Sequence, residues 1–459
     1  MKFDAIIIGA GQAGPPLAGR LTAAGQSVCL IERKFIGGTC VNTGCMPTKT
    51  LVASAYAAQL ARRAAQYGVD IGDRIRIDMR RVQQRAATVT MNARNGVERW
   101  LAQMPNCTVI RGQACFESAI QLRVGEQRLS AAKIFINVGA RVVVPNIPGL
   151  ESIPYLTNTS IVALDRLPEH LIILGGSYIG LEFAQMYRRF GSAVSVVERA
   201  ARVASREDPE VSQAIREILE AEGVQFHTAT EVVSVSRASN GGITARLRSA
   251  AGESDLSGSD LLLASGRRPN TDDLGLGTAG VDCNAAGYIA VDDTLSTNVP
   301  GIWALGDCNG RGAFTHTAYN DFEIVAANLL DGANRKVSAR IPGYALYIDP
   351  PLGRVGLTQT EAQKSGRRLL VSTRPMSRVG RAVEKDETQG FMKIIADADT
   401  HRILGAAILG LNGDEAIHGI LDLMNADQPY TTLQWAVPIH PTVSELLPTL
   451  VNGLAPIAG

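Results

Sequence analysis

The stretch Ile6-Ile7-Ile8-Gly9-Ala10-Gly11-Gln12-Ala13-Gly14, followed by an alanine- and leucine-rich run over 15–24, an apolar run over 27–31 and then Glu32, decides the fold. It reads as a strand, a GxGxxG turn, a helix and a second strand with an acid at its end. In such a unit Gly9, Gly11 and Gly14 permit a tight turn and let a pyrophosphate approach the helix N-terminus, while Glu32 takes ribose hydroxyls. A lone GxGxxG carries little weight, but between two strands and ahead of a helix it carries a good deal.

The unit recurs. Residues 171–174 lead into Gly175-Gly176-Ser177-Tyr178-Ile179-Gly180, a helix to about residue 190, a strand over 193–197, and Glu198. Gly9 and Glu32 are 23 positions apart, and so are Gly175 and Glu198. Two copies at equal internal spacing imply two dinucleotide sites, the second built on Gly175, Gly180 and Glu198. Ser177 stands where the middle glycine would, which is tolerable if the backbone there need not approach the ligand so closely.

A third stretch carries reactive groups: Gly37-Gly38-Thr39-Cys40-Val41-Asn42-Thr43-Gly44-Cys45-Met46-Pro47-Thr48-Lys49-Thr50. A disulfide needs Cα atoms within about 7 Å, a limit that residues five apart in a regular helix only marginally meet. Gly44 lets the backbone bend to close the ring, and Pro47 suits the first turn of a helix expected over 46–66. Cys45 and Lys49 then share a helix face. A thiol at a helix N-terminus beside an ammonium group has its thiolate favoured. The spacing alone would equally serve two small core residues. With two dinucleotide sites in the chain, the pair suggests electron relay through a bound flavin.

These motifs resemble the FAD-dependent pyridine nucleotide-disulfide oxidoreductases, whose members include dihydrolipoamide dehydrogenase, glutathione reductase and mercuric reductase. The resemblance runs from Asp4 to Glu445 and is densest over GGTCVNTGCMPTKT, which matches the family's redox-active disulfide motif nearly letter for letter. It implies an α/β chain with two Rossmann-like dinucleotide-binding domains, for FAD and NAD(P), plus an α+β C-terminal dimerisation domain. The expected boundaries are 1–148 and 269–338 for the two parts of the FAD domain, 149–268 for the NAD(P) domain, and 339–459 for dimerisation.

The resemblance also implies roles. Cys40–Cys45 would be the disulfide, Cys45 the thiol facing the flavin, and Cys40 the outward thiol that attacks the acceptor. Thr39, Lys49, Gly112 and Ala114 (in Arg111-Gly112-Gln113-Ala114) would line the FAD site, and Asp307, in Ile302-Trp303-Ala304-Leu305-Gly306-Asp307, would bind the ribityl chain. A helix over about 314–330 would stabilise negative charge on the flavin at its N-terminus. Tyr178 would cover the nicotinamide pocket, and Glu182 would pair with Lys49. Gly139 and Gly266 end apolar strands that look like the crossings into and out of the second dinucleotide domain, though both depart from the family's Ala-Thr-Gly form. His440 and Glu445, in His440-Pro441-Thr442-Val443-Ser444-Glu445, match the family's His-Glu signature, a histidine base oriented by a carboxylate. In a homodimer with shared active sites, His440 would serve the other subunit's disulfide. Glu198 favours NADH by accepting the 2′-hydroxyl, while Arg199, Arg202 and Arg206 could receive the phosphate of NADPH.

The acceptor is read less directly. Residues 347–356 and the Cys-Met-Pro-Thr-Lys motif look closest to the mercuric-reductase-like branch, which also holds the reactive chlorine resistance flavoprotein. That points to a small-molecule disulfide or a soft metal ion such as Cu(II) or Hg(II). The His-Glu pair, which mercuric reductase lacks, keeps dihydrolipoamide dehydrogenase or a glutathione-reductase-type enzyme as an alternative. A redox-sensing or complex-bound flavoprotein is an alternative of another class.

Composition agrees with an enzyme of this kind. The 459 residues suggest about three domains, with 46% hydrophobic and 19% charged residues. A formal net charge of +1 gives no electrostatic case for nucleic acid or a membrane surface. No apolar run approaches the roughly 20 residues of a membrane span. The first strand follows at once on Met1-Lys2-Phe3, leaving no room for a signal peptide, so a cytoplasmic protein is expected. No resident metal site is expected. Cys29, Cys107, Cys115, Cys283 and Cys308 read as packing. Short strands are expected at 109–110 and 119–123, and later ones at 354–357, 391–396 and 403–409, with helices near 413–424 and 432–437.

Overall fold

The computed structural model describes residues 1–72, 74–239 and 241–457. Ala5–Ile8 is buried on both faces, as an apolar run without alternation requires of a strand inside a parallel sheet. It lies between Val28–Glu32 and Lys133–Ile136, with Ile7 opposite both Leu30 and Phe135. Cys107–Arg111 and Ile302–Ala304 complete five parallel strands. The helix Gly14–Ala23 crosses between the first two strands, its Leu17 and Leu21 fully buried.

The second unit repeats this logic. His170–Leu174 lies between Ala193–Val197 and Asp260–Leu263, with Val224–His227 outside, again all parallel. The helix Tyr178–Phe190 makes the crossover and is almost wholly buried. In both sheets the strand opening the Gly-rich turn has its own successor on one side and a returning strand on the other. That places each turn at a topological switch point.

The two crossing segments pair with each other. Ala140–Val142 runs antiparallel to Arg267–Pro269, a two-stranded ribbon joining the halves. Farther on, six antiparallel strands from Gly343–Leu346 to Ala455–Pro456 form the C-terminal sheet. Its Phe391–Asp397 and Ile403–Leu409 strands are buried nearly throughout.

Several expectations needed correction. Cys40 lies in a short helix of its own, Gly38–Thr43, and the helix after the second cysteine runs Cys45–Arg62 before tightening to a 3-10 turn at Ala64–Tyr67. The run 119–123 is not one strand: Ala114–Ser118 and Gln121–Val124 pair antiparallel across a turn in which Ile120 is exposed. The helical stretch 413–424 divides into Gly413–Ala416 and His418–Asn425. The one near 432–437 ends at Gln434, since Val437 precedes Pro438 and is steered away from helical angles. Cys283 is exposed on a surface turn, so it does not pack.

Candidate active site

Both Gly-rich turns open onto one continuous cavity of about 2040 Å³. Pockets for a single drug-sized ligand reach about 1,000 Å³, so there is room for two dinucleotides. Gly9, with φ of +104°, sits so close to Asn137 that an added Cβ would lie 2.2 Å from its carbonyl oxygen. The last glycines, Gly14 and Gly180, do not line the cavity. A Cβ on either would strike the carbonyl of Gly9 or Gly175 at 2.3 and 2.0 Å, so they close the turns. Gly11, Gly112, Ala114, Gly139, Gly175 and Gly266 all border the space.

The two acids behave alike. Glu32 accepts hydrogen bonds from the amides of Ala10 at 2.9 Å and Lys34 at 2.7 Å. Glu198 accepts from Gly176 and Ala200, both at 2.7 Å. Each carboxylate therefore ties the end of its second strand to the Gly-rich turn, at the floor of the cavity. Arg199 and Arg206 line the cavity beside Glu198; Arg202 is outside its wall.

Cys40, Cys45, Thr39 and Lys49 face the same cavity. Both cysteines are free thiols. Its neighbour Cys40 holds Cys45 well below the ordinary thiol range, while Cys45 and burial push Cys40 above it. Thr315 adds a second contact, its Oγ1 lying 3.1 Å from the Cys45 Sγ, and the Lys49 ammonium adds a third influence. Thr315 opens the helix Thr315–Leu330, so the sulfur also lies at a helix N-terminus. These surroundings favour the thiolate at Cys45 over Cys40.

Lys49 reaches from Cys45–Arg62 to the Tyr178–Phe190 helix, where its Nζ donates to both oxygens of buried Glu182 at 2.9 and 2.8 Å. Glu182 also accepts the Tyr347 amide at 3.0 Å, and the ammonium sits 4.6 Å from the Tyr347 ring centre. Tyr178, one turn before Glu182, donates its hydroxyl to Glu207 at 3.0 Å.

Asp307 borders the cavity with its carboxyl pushed up by burial, against which the Arg267 guanidinium at 3.5 Å works. The buried Arg267 Nε makes no hydrogen bond. The Gly306 amide donates to buried Asp321 at 2.8 Å, and Arg340 pairs with the other Asp321 oxygen. That clamp positions the Gly306–Asp307 turn.

His440 Nδ1 and Glu445 Oε2 are 2.8 Å apart, as the motif suggested. The imidazole is 78% exposed and does not line the cavity, so a single chain does not bring it to its own cysteines. Thr315, Glu207, Tyr344, Arg354, Asp321 and Asn137 were not legible as site residues. Only Asn137 left a trace in the sequence, as the departure from Ala-Thr-Gly at 137–139.

A model of the family "Pyridine nucleotide-disulphide oxidoreductase" matches residues 3–321, and one of that family's dimerisation domain matches 342–451. The chain belongs to the pyridine nucleotide-disulphide oxidoreductases. As a member it is an FAD- and NAD(P)H-dependent enzyme with a disulfide redox centre and a C-terminal dimerisation domain. It is 38% identical to the probable pyridine nucleotide-disulfide oxidoreductase RclA of Escherichia coli, over 98% of this chain and 99% of the relative. It is 34% identical to a mercuric reductase of Streptomyces lividans, over 95% and 94%. A solved structure described as the HOCl-induced flavoprotein disulfide reductase RclA superposes with a TM-score of 0.89 at 38% identity, covering 98% of this chain and 99% of that one. A Cu(II) complex of the same protein matches equally well. Among the described residues, no helix of this oxidoreductase is long and apolar enough to cross a membrane.

Proposed function

We propose that this oxidoreductase takes electrons from NADH and delivers them, through the Cys40–Cys45 pair, to a soft metal ion such as Cu(II) or Hg(II) or to a small disulfide. The observation that carries the reading is the pair of free thiols, Cys40 and Cys45, with the Thr315 hydroxyl 3.1 Å from the Cys45 sulfur, in the same cavity as two Gly-rich turns. The FAD site is formed by Gly9, Gly11, Glu32, Thr39, Gly112, Ala114, Gly139 and Asp307, over segments 1–148 and 269–338. Gly139, where a Cβ would meet nothing within 4 Å, and the half-partnered Asp307 carboxyl, both bordering the cavity, suit a hydroxyl-rich diphosphate ligand. When bound, the flavin supplies the exchange between hydride and thiol electrons.

The protein groups do the rest. Gly175, Gly180, Gly266 and Glu198 hold the nicotinamide dinucleotide in segment 149–268, with Glu198 accepting the adenosine ribose hydroxyl. Lys49, gripped by Glu182, fixes positive charge beside the redox centre. Cys45 remains a thiolate while Cys40, the better exchanger once deprotonated, meets the acceptor. His440 of the partner subunit, oriented by its own Glu445, takes the Cys40 proton across the interface of segments 339–459. Paired thiolates suit soft cations, and the Cu(II) complex of RclA supports the metal arm. The 2.8 Å His440–Glu445 pair supports the disulfide arm, because thiol–disulfide exchange needs a proton acceptor.

The test is steady-state oxidation of NADH against Cu(II), Hg(II) and a panel of disulfides, dihydrolipoamide with NAD included. Cys40→Ser should abolish acceptor turnover while flavin reduction by NADH persists. Dihydrolipoamide turnover far above every metal and disulfide, or full acceptor turnover in Cys40→Ser, would overturn the reading.

A further inference from the structure

Glu207 is fully buried yet accepts four hydrogen bonds from three side chains. Its Oε1 takes the hydroxyls of Tyr178 at 3.0 Å and Tyr344 at 2.7 Å, and its Oε2 takes Nε and Nη2 of Arg354 at 3.0 and 2.7 Å. Glu207 belongs to the loop that begins at Glu198, and that loop also donates the Ala204 amide to the Gly176 carbonyl at 2.8 Å. One loop thus touches the floor of the ribose site, the second Gly-rich turn and the tyrosine beyond it.

Tyr178 lies between that turn and the Lys49–Glu182 pair. A dinucleotide laid from Glu198 across Gly175 towards Lys49 must pass its ring. The ring is also packed 5.3 Å from Tyr344 and 6.5 Å from Phe314, the residue before Thr315. Moving it breaks one hydrogen bond and leaves Glu207 satisfied by Tyr344 and Arg354.

We propose that Glu207 is a latch that holds Tyr178 across the nicotinamide end of the second dinucleotide site, with Tyr344 as the donor that keeps the carboxylate satisfied when Tyr178 leaves. Glu207 and Tyr344 are positioning residues, and the proposal rests on the reading of that site given above. The nicotinamide end of the ligand bears the cost of opening the latch, and the adenosine end does not. The two tyrosines, although they share one oxygen, act in opposite directions. Without the Tyr178 hydroxyl the latch is gone. Without the Tyr344 hydroxyl the acceptor is left unpaired on opening, so the latch tightens.

The test is calorimetric titration of the oxidised, FAD-loaded enzyme with NAD⁺ and with ADP-ribose, which lacks the nicotinamide. A hydrogen bond to a charged acceptor is of a size that makes about a tenfold change reasonable. Tyr178→Phe should bind NAD⁺ about tenfold tighter and Tyr344→Phe several-fold weaker, with ADP-ribose unchanged in both. Flavin content and melting temperature verify that both variants fold. NAD⁺ affinity unmoved, moved in the same direction by both variants, or moved in parallel with ADP-ribose overturns the latch alone. A wild-type enzyme that binds neither ligand overturns the site assignment, and the latch with it.

Discussion

Replacing Thr315 by valine removes the hydroxyl 3.1 Å from the Cys45 sulfur while keeping the side chain's shape, which leaves no room for a substitute water. A hydrogen bond to a charged group is worth about 1.5–3 kcal/mol. At about 1.36 kcal/mol per pH unit, its loss should raise the titration midpoint of Cys45 by about one to two pH units. The sign follows from which form loses its donor: the thiolate is destabilised, so more alkaline conditions are needed to form it. Cys40 and Lys49 still favour the thiolate in the variant, so the midpoint should stay within reach of a titration. The assay is a pH titration of the two-electron-reduced, flavin-loaded enzyme, followed by the long-wavelength absorption of a thiolate lying against the flavin. Thr315→Ser keeps the donor and should stay near wild type. Because the folded Cys45 lies below its unfolded value, its contribution to the stability of the reduced protein is complete above the ordinary thiol range. It fades as pH falls through the depressed value. Equal midpoints for Thr315→Val and wild type, at equal flavin content, would refute this account of the sulfur.

Other outcomes follow from the same geometry. Arg354→Met strips buried Glu207 of two donors and Asp208 of one, and should destabilise the enzyme by about 3 kcal/mol, read from guanidinium unfolding. Lys49→Met should cost less, about 1–2 kcal/mol, because a third of that lysine is exposed and Glu182 keeps the Tyr347 amide. Glu198→Ala should lower the ratio of kcat/KM for NADH over NADPH by about tenfold, since a charged hydrogen-bond acceptor is lost and a repulsion relieved. Co-refolding Cys40→Ser with His440→Ala subunits should restore turnover that neither variant has alone. Unrestored turnover would exclude the shared active site.

The parts of this enzyme legible in its sequence are those dictated over short separations. Both Gly-rich turns could be read from glycines next to apolar strands, because a positive φ is a local requirement. Gly9 and Gly175 meet it within their own units, although the carbonyls that exclude a Cβ there, of Asn137 and Ala264, come from the ends of distant strands. The Cys45–Lys49 neighbourhood followed from helical spacing, and the His440–Glu445 pair from a six-residue string. The strand at 119–123 failed at the same scale. An apolar Ile120 in a tight turn looks like a strand residue until its exposure is known.

What only the tertiary structure decided lies at long range. Thr315 comes to Cys45 across 270 positions, and Arg354 to Glu207 across 147. No periodicity or turn propensity links such residues, because their energy comes from desolvated charge and hydrogen bonding once two elements have packed. Neighbours along the chain determined where the Gly-rich turns and the paired cysteines would lie. Packing decided which hydroxyl reaches the Cys45 sulfur and which carboxylate holds the tyrosine, since those depend on donors that distant elements bring to a site shielded from water.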